Sequence, residues 1–537
     1  MIANLRADTQ SKRVRLCARI LFASPLALNL LLTACGGGGG GGSSGSSSAP
    51  SGSSSYQVGG TLTGLSSGTS VTLKNGSDSL MLNSNGSFVF PTHEASGSTY
   101  DVTVGTEPAL PEHCSVSQGS GTVNGANVTS VAVACTQTLT ETVLYRFMGS
   151  ASDGEWPYAG LMMDGSGDLF GTTVSGGSGG CTNGCGTVFE LKPNGSGGYT
   201  ETVLYNFGTN ANDGTGPDAG LVADSSGDLF GTTYDGGSAN CTGGCGTVFE
   251  LKPNGSGGYT EAVLYRFTGP GDGEAPVAGL IMDGSGDLFG TTEQGGASDE
   301  GMVFELIPNG TSYAEVRLYS FGSNAVNDGA RPYGDLIMDS SGDLFGTTAY
   351  GGSGSHGTVF ELTSNNAGYT ESVLYAFKGG LTDGVSPYAG LIMDSSGDLF
   401  GTTASGGSGS CTGGCGTVFE LKSNGTSYAE SVLYTFGSNG GGNDGANPYA
   451  GLIMDGSGDL FGTTSQGGTA FSGTVFELKP NGTSYAETVL HSFASNGVDG
   501  GVPYSYGSLI QNVSGDLFGT TASGGSSSGY GTVFEIQ

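Results

Sequence analysis

Seven copies of Asp-Gly-x-x-Pro recur between residues 138 and 537, with aspartates at Asp153, Asp213, Asp272, Asp328, Asp383, Asp444 and Asp499. A tyrosine follows the proline in five copies: Tyr158, Tyr333, Tyr388, Tyr449 and Tyr504. Aromatic faces stack on sugar rings or peptide planes, and carboxylates accept their hydroxyl or amide hydrogens, so a ring of such residues can bind a glycan or a protein. Asp218 and Val277 replace the tyrosine in the other two copies and leave a gap in any such ring. A second acidic series, Glu190, Glu250, Glu305, Glu361, Glu420, Glu477 and Glu535, holds one place in the repeat. Glycoside hydrolysis needs two acids in different environments around one bond. One acid copied by pseudo-symmetry points instead to a hydrogen bond made by each repeat. Residues that break the repeat are freer of that constraint: Trp156, Glu293, Asp299, Glu300, Arg331 and Asp335. His93, His113, His356 and His491 are scattered and show no nucleophile–base spacing.

Two further motifs carry chemistry of their own. Asp394-Ser395-Ser396-Gly397-Asp398 recurs in each copy, except that Asn512 replaces the first aspartate in the seventh. Two carboxylates around a glycine can wrap Ca²⁺, a cation that takes oxygen ligands. They equally make a tight turn, with aspartate bonding the backbone and glycine supplying positive φ. The spacing lacks the acid density of a dedicated calcium loop, so no cofactor is expected. Cys181/Cys185, Cys241/Cys245 and Cys411/Cys415 are close pairs in three separate repeats. Zinc would need two more ligands beside each pair, and none lies nearby in sequence. Local disulfides are the expectation.

These residues are positioned by a repeat whose signature is Ser-Gly-Asp-Leu-Phe-Gly-Thr-Thr, starting at Ser166, Ser226, Ser285, Ser341, Ser396, Ser457 and Ser514. The fifth copy contains four short apolar runs, 390–394, 398–403, 416–421 and 431–436, bounded by Gly, Ser, Asn or Asp. Four strands per unit suit a propeller blade, and nearly continuous apolar runs suit sheets buried on both faces. The predicted fold is all-β: a seven-bladed β-propeller over 138–537, preceded by a small β-sandwich. The repeat region begins with a lone strand, 143–147, and ends without a fourth strand after 531–536. The first strand should therefore complete the last blade and close the ring. No helical periodicity or phosphate-binding loop is evident.

The repeat unit resembles the tandem GloVer repeat of bacterial surface proteins that use differing anchors, over roughly three quarters of the chain. The resemblance implies a propeller and a surface address. It supplies no catalytic residues to carry over.

Residues 1–34 read as an export signal, with Arg13, Arg15 and Arg19 ahead of an apolar stretch ending in Leu32-Thr33-Ala34-Cys35. That end resembles a bacterial lipobox, which makes Cys35 the lipidated residue; the alternative is an ordinary signal peptide containing a cysteine. Residues 35–55 are the lipidated cysteine and a Gly/Ser tether. Residues 56–136 carry short alternating strands and only two cysteines, Cys114 and Cys135, expected to be disulfide-bonded in an oxidising compartment. A small β-sandwich acting as a spacer is expected there. The net charge of −33 repels phosphate backbones and argues against nucleic acid.

The expectation is thus a monomer at the bacterial outer membrane or cell surface, touching the membrane only through its lipid anchor. Its partner would be an extracellular glycan or protein bound without catalysis by Tyr158, Tyr333, Tyr388, Tyr449, Tyr504, Trp156 and Arg331. A polysaccharide hydrolase or lyase and a purely structural envelope protein are the competing readings.

Overall fold

The computed structural model describes residues 55–537, apart from 67–68, 107, 109–112, 137–138, 196–197, 211, 256, 311, 323–326, 366–367, 426, 438–441, 483, 495–496, 498, 504–506 and 527–528. The segment read as an export signal, Cys35 and the Gly/Ser-rich stretch up to residue 54 lie outside the described residues, as does Tyr504. Every regular element among the described residues is a β-strand.

The first part of the described chain forms two four-stranded sheets. Ser55–Thr63 lies between Gly86–Ala95 and Val128–Thr136, and His113–Ser117 forms an edge. The second sheet contains Asp78–Leu82, Val71–Asn75, Thr99–Thr106 and Ser120–Thr122. Val58, Leu62, Leu73, Phe88, Phe90, Val131 and Val133 fill the shared core. Cys114 and Cys135 face each other across paired strands and form a disulfide. Eight strands make up the two sheets. Asp78–Leu82, His113–Ser117 and Ser120–Thr122 are short or polar, and pairing rather than hydrophobic period defines them.

Seven more four-stranded sheets follow. In the fifth, Ile392–Met393, Leu399–Thr403, Thr417–Ser423 and Tyr428–Thr435 pair antiparallel in chain order. The second strand, Leu-Phe-Gly-Thr-Thr, is buried at all five positions in every copy. Each residue type has a reason. A Cβ on Gly401 would stand 2.6 Å from the Phe419 ring, so only glycine lets that ring cross the strand. The Thr402 hydroxyl donates to the Ala450 carbonyl of the next blade at 2.9 Å, a bond repeated by Thr172, Thr232, Thr347 and Thr520. Thr403 shares a hydroxyl–hydroxyl bond of 2.8 Å with Thr417 of the third strand. The fourth strand alternates between half-buried and exposed over its first four residues and is half-buried thereafter, because its outer edge meets water. Uniform two-faced burial, anticipated for whole blades, holds for the second strand and most of the third, whereas the two-residue first strand is half-buried.

One phenylalanine after each fourth strand packs edge-on against a third-strand phenylalanine of the next blade. The seven pairs are Phe207–Phe249, Phe267–Phe304, Phe321–Phe360, Phe377–Phe419, Phe436–Phe476, Phe493–Phe534 and Phe147–Phe189, with centroids 5.0–5.2 Å apart. The last pair joins the seventh blade to the first, so the sheets form a closed ring. The strand Glu141–Arg146 pairs antiparallel with Thr532–Ile536 and supplies the fourth strand of the seventh blade. A propeller whose first and last strands share one blade follows.

Candidate functional site

The Asp-Gly-x-x-Pro loop leads from one blade to the next, and local chemistry fixes its shape. The Asp383 carboxylate accepts from the backbone N–H of Lys378 and of Gly384, both at 2.7 Å, and from the Tyr375 hydroxyl at 3.0 Å. Gly384–Val385 then pairs with Ser405–Gly406, just beyond Thr-Thr of the same blade. Equivalent two-stranded ladders form in five other blades, and Ala446 bridges Gln466 in the sixth. Both loop types therefore meet at one end of the blade.

The residue before the proline is left-handed in every copy, with φ from 52° to 63°: Trp156, Gly216, Ala275, Arg331, Ser386, Asn447 and Val502. Its N–H bonds the preceding blade, as Ser386 does to the His356 carbonyl at 2.8 Å. Its carbonyl accepts from its own blade, as Ser386 does from Ala404 at 3.1 Å. The proline next packs on a glycine of the preceding blade. A Cβ on Gly416, at φ 96°, would meet Pro448 at 2.5 Å. Such a frame fixes the direction of the following tyrosine.

Three of those tyrosines form one arc. Tyr333 and Tyr388 have centroids 5.1 Å apart, and Tyr388 and Tyr449 5.3 Å. Tyr350, which follows Thr-Thr in blade four by two residues, joins them through a 3.0 Å hydroxyl–hydroxyl bond to Tyr388. The arc spans blades four, five and six.

Acids continue from the Tyr333 end of the arc, through blades three and two, where the sequence left a gap. Glu293 holds the place after Thr-Thr that is Val174, Ala349, Ala404 or Ala522 in other blades. It is buried and accepts from Arg331 Nη1 at 2.9 Å and from the Tyr333 hydroxyl at 2.7 Å. Burial, then the bond to Glu293, pushes the Tyr333 phenol well above its usual range. Asp218 lines the channel, where burial first and Glu293 second push its carboxyl up to about 7. Asp335 lines the same channel and accepts from the Gly279 N–H at 2.6 Å. Arg331 thus orients Glu293 besides lining a cavity of 480 Å³ with Tyr333, Tyr350 and Glu300. Trp156 occupies the corresponding position in blade one and lines a separate cavity of 430 Å³ with Glu155, Asn183 and Tyr530.

Several sequence expectations change here. The aspartates of Asp-Gly-x-x-Pro do not share a ring with the tyrosines. Each closes its own loop and faces a glutamate of the neighbouring fourth strand, as Asp383 faces Glu430. Asp218 is a member of the acidic side rather than a gap, and Tyr350 was not foreseen. The signal for both was departure from the repeat at two registers, after Thr-Thr and after the proline.

The other motifs are engaged at the far end of the second strand or in side loops. Asp394 Oδ1 accepts from the N–H of Ser396 and Asp398 at 2.8 and 2.9 Å, the geometry of a tight turn. The third-strand glutamates pair with lysine in four blades, Glu190–Lys192 at 2.7 Å being the shortest, and Glu361 accepts from the strand hydroxyl of Thr363. Cys181–Cys185, Cys241–Cys245 and Cys411–Cys415 are disulfides. Bonded cysteines belong to an oxidising, extracytoplasmic compartment. No helix among the described residues is long and apolar enough to cross a membrane.

Known structures share this β architecture distantly. A 6-phosphogluconolactonase-like protein from Bacteroides uniformis is 13% identical, with a TM-score of 0.40 over 62% of this chain and 84% of that one. Trypanosoma rangeli sialidase is 11% identical, with a TM-score of 0.38 over 74% and 59%. A glucose dehydrogenase-like oxidoreductase from Thermus thermophilus is 15% identical, with a TM-score of 0.35 over 74% and 100%. None of these carries an activity over to this chain. No curated protein matches the sequence. The model of the Gloeobacter/Verrucomicrobia repeat matches twice, over residues 179–413 and 408–537, more than half of the chain. With its repeats so matched, the chain belongs to the Gloeobacter/Verrucomicrobia repeat family.

Proposed function

We propose that this protein is a non-catalytic envelope scaffold that binds an extracellular glycan at the propeller mouth, anchored through a lipid on Cys35. The observation that carries the reading is the arc of Tyr333, Tyr388 and Tyr449, with Glu293 bonded to its Tyr333 end and acting in turn on Asp218. Pyranose rings offer an apolar face to stack on tyrosine and a rim of hydroxyls that donate to carboxylates. The acids, together with a net charge of −33, favour neutral glycans over polyanionic ones. Glycan-array binding by the full-length chain tests this. Tyr388→Ala, at the centre of the arc, should weaken binding about tenfold or more, the scale on which truncating one aromatic anchor acts at a binding hot spot. Equal binding by wild type and Tyr388→Ala moves the site elsewhere.

One observation favours a second reading, a carbohydrate-cleaving enzyme. Asp218 carries a raised pKa while Glu293 is ion-paired with Arg331, and two acids in unlike surroundings are what acid–base cleavage of a glycosidic bond uses. Turnover of a surface polysaccharide that disappears in Asp218→Asn would promote it. Binding that survives Asp218→Asn without any turnover in wild type leaves the scaffold reading standing.

A further inference from the structure

Seven blade interfaces carry the same three-residue cluster, and one of them differs. In six, a fourth-strand tyrosine bonds the loop aspartate, as Tyr205 does Asp213 at 3.0 Å and Tyr434 does Asp444 at 2.9 Å. A glutamate from the next blade's fourth strand faces that pair, for example Glu261 beside Asp213. At the interface between blades six and seven the tyrosine is replaced by His491. Its ring keeps the tyrosine's place, edge-on to Phe493 at 4.8 Å, where Tyr434 lies 5.1 Å from Phe436. The hydrogen bond is not kept. His491 Nε2 stands 3.4 Å from Asp499 Oδ2, and this buried nitrogen has no hydrogen-bond partner among the described residues. The facing glutamate is Glu141, on the strand that closes the ring, and its Oε1 is likewise buried without a hydrogen-bond partner among the described residues.

We propose that His491, Asp499 and Glu141 bind one zinc-class divalent cation that pins the ring-closing strand to blade six. The three donor atoms lie within 4.8 Å of one another. Two ligands bonded at about 2.0–2.2 Å to a tetrahedral ion stand roughly 3.3–3.6 Å apart, which brackets the spacing of His491 and Asp499. One imidazole with two carboxylates suits zinc, whereas calcium takes oxygen donors alone. Three protein ligands leave the fourth position to water. A tyrosine hydroxyl, the group at the other six interfaces, would give no such donor set. Asp499 is held for the task by the Ala494 N–H, which donates to Oδ2 at 2.8 Å. Arg146 is the other cation that acts on Glu141, and it lies on the same closing strand.

His491→Tyr is the decisive variant, because it installs the residue that six interfaces already tolerate and so should fold. Full-length wild-type protein stripped with EDTA and titrated with zinc chloride at pH 7.5 should take up one tight equivalent, and its melting temperature should rise by several degrees. His491→Tyr should lose that equivalent, with affinity down at least about tenfold, and should melt at the same temperature with or without zinc. Glu141→Gln should weaken uptake while leaving the imidazole in place. Wild type that takes up no zinc, or whose melting temperature zinc leaves unchanged at pH 7.5, overturns the proposal. So does equal zinc uptake and equal thermal shift in His491→Tyr, which would place the metal on other histidines such as His356.

Discussion

Ser386, Trp156, Arg331 and Val502 share one left-handed backbone position with three other residues, and glycine occupies it only once, at Gly216. Two backbone bonds to two blades force the conformation on whatever side chain is there. The cost is greatest for a β-branched residue such as Val502, at φ 52°. Val502→Gly should therefore raise stability by about 0.5–1 kcal/mol, the left-handed penalty less the extra chain entropy of glycine, as read by chemical denaturation. Unchanged or lowered stability would mean that the Val502 side chain makes compensating contacts. The variable identity at this position, next to a near-constant proline and tyrosine, is what gives the mouth its asymmetry. Tyr388→Ala acts at the same scale, since Tyr388 touches Tyr333, Tyr449 and Tyr350 at once.

Between neighbouring blades, fourth strands press a glutamate against the loop aspartate of the preceding blade. Burial, with the facing aspartate second, raises Glu201, Glu261, Glu371, Glu430 and Glu487 to about 7. In the unfolded chain these glutamates titrate near 4.5. From about pH 4.5 to 7 the folded protein therefore binds more protons than the unfolded chain, and its stability falls as pH rises through that window. The melting temperature should be higher at pH 5 than at pH 7.5. Glu430→Gln mimics the protonated side chain, so it should raise melting at pH 7.5 by about 1–2 °C and change little at pH 5. A variant that shifts melting equally at both pH values would assign the effect to packing. This buried acidity was not legible in the sequence. Each glutamate follows its own strand pattern, and only blade stacking brings it to an aspartate some 45 residues earlier in the chain.

Over the whole molecule, closure rests on Glu141–Arg146 and on the Phe147–Phe189 contact that joins the seventh blade to the first. Removing residues 141–147 would expose Thr532–Ile536 as an unpaired edge and remove one of the seven aromatic contacts. An exposed strand edge pairs with other chains. The truncated protein should therefore aggregate or dimerise by light scattering, whereas Phe147→Ala should remain monomeric but lose about 3–5 kcal/mol. Monomeric truncated protein of unchanged stability would show that the ring does not depend on this strand. The missing last strand and the lone first strand were readable in advance, because a repeat with a surplus at one end and a deficit at the other has one economical solution.

What the sequence determined by itself was the local grammar. Short apolar runs between turn residues define blades. Leu-Phe-Gly-Thr-Thr defines their inner strand, and the Asp-Gly pairs define their turns, because those outcomes depend on neighbours within a few residues. What the tertiary structure decided was who meets whom across blades. Asp218 and Glu293 stand 75 residues apart in the chain, and Glu141 and His491 stand 350 apart. His491 read as a scattered histidine and Asp218 as a missing tyrosine. Their neighbours are set by the angular stacking of seven sheets, and no periodicity along one strand encodes the side chain that the next blade presents.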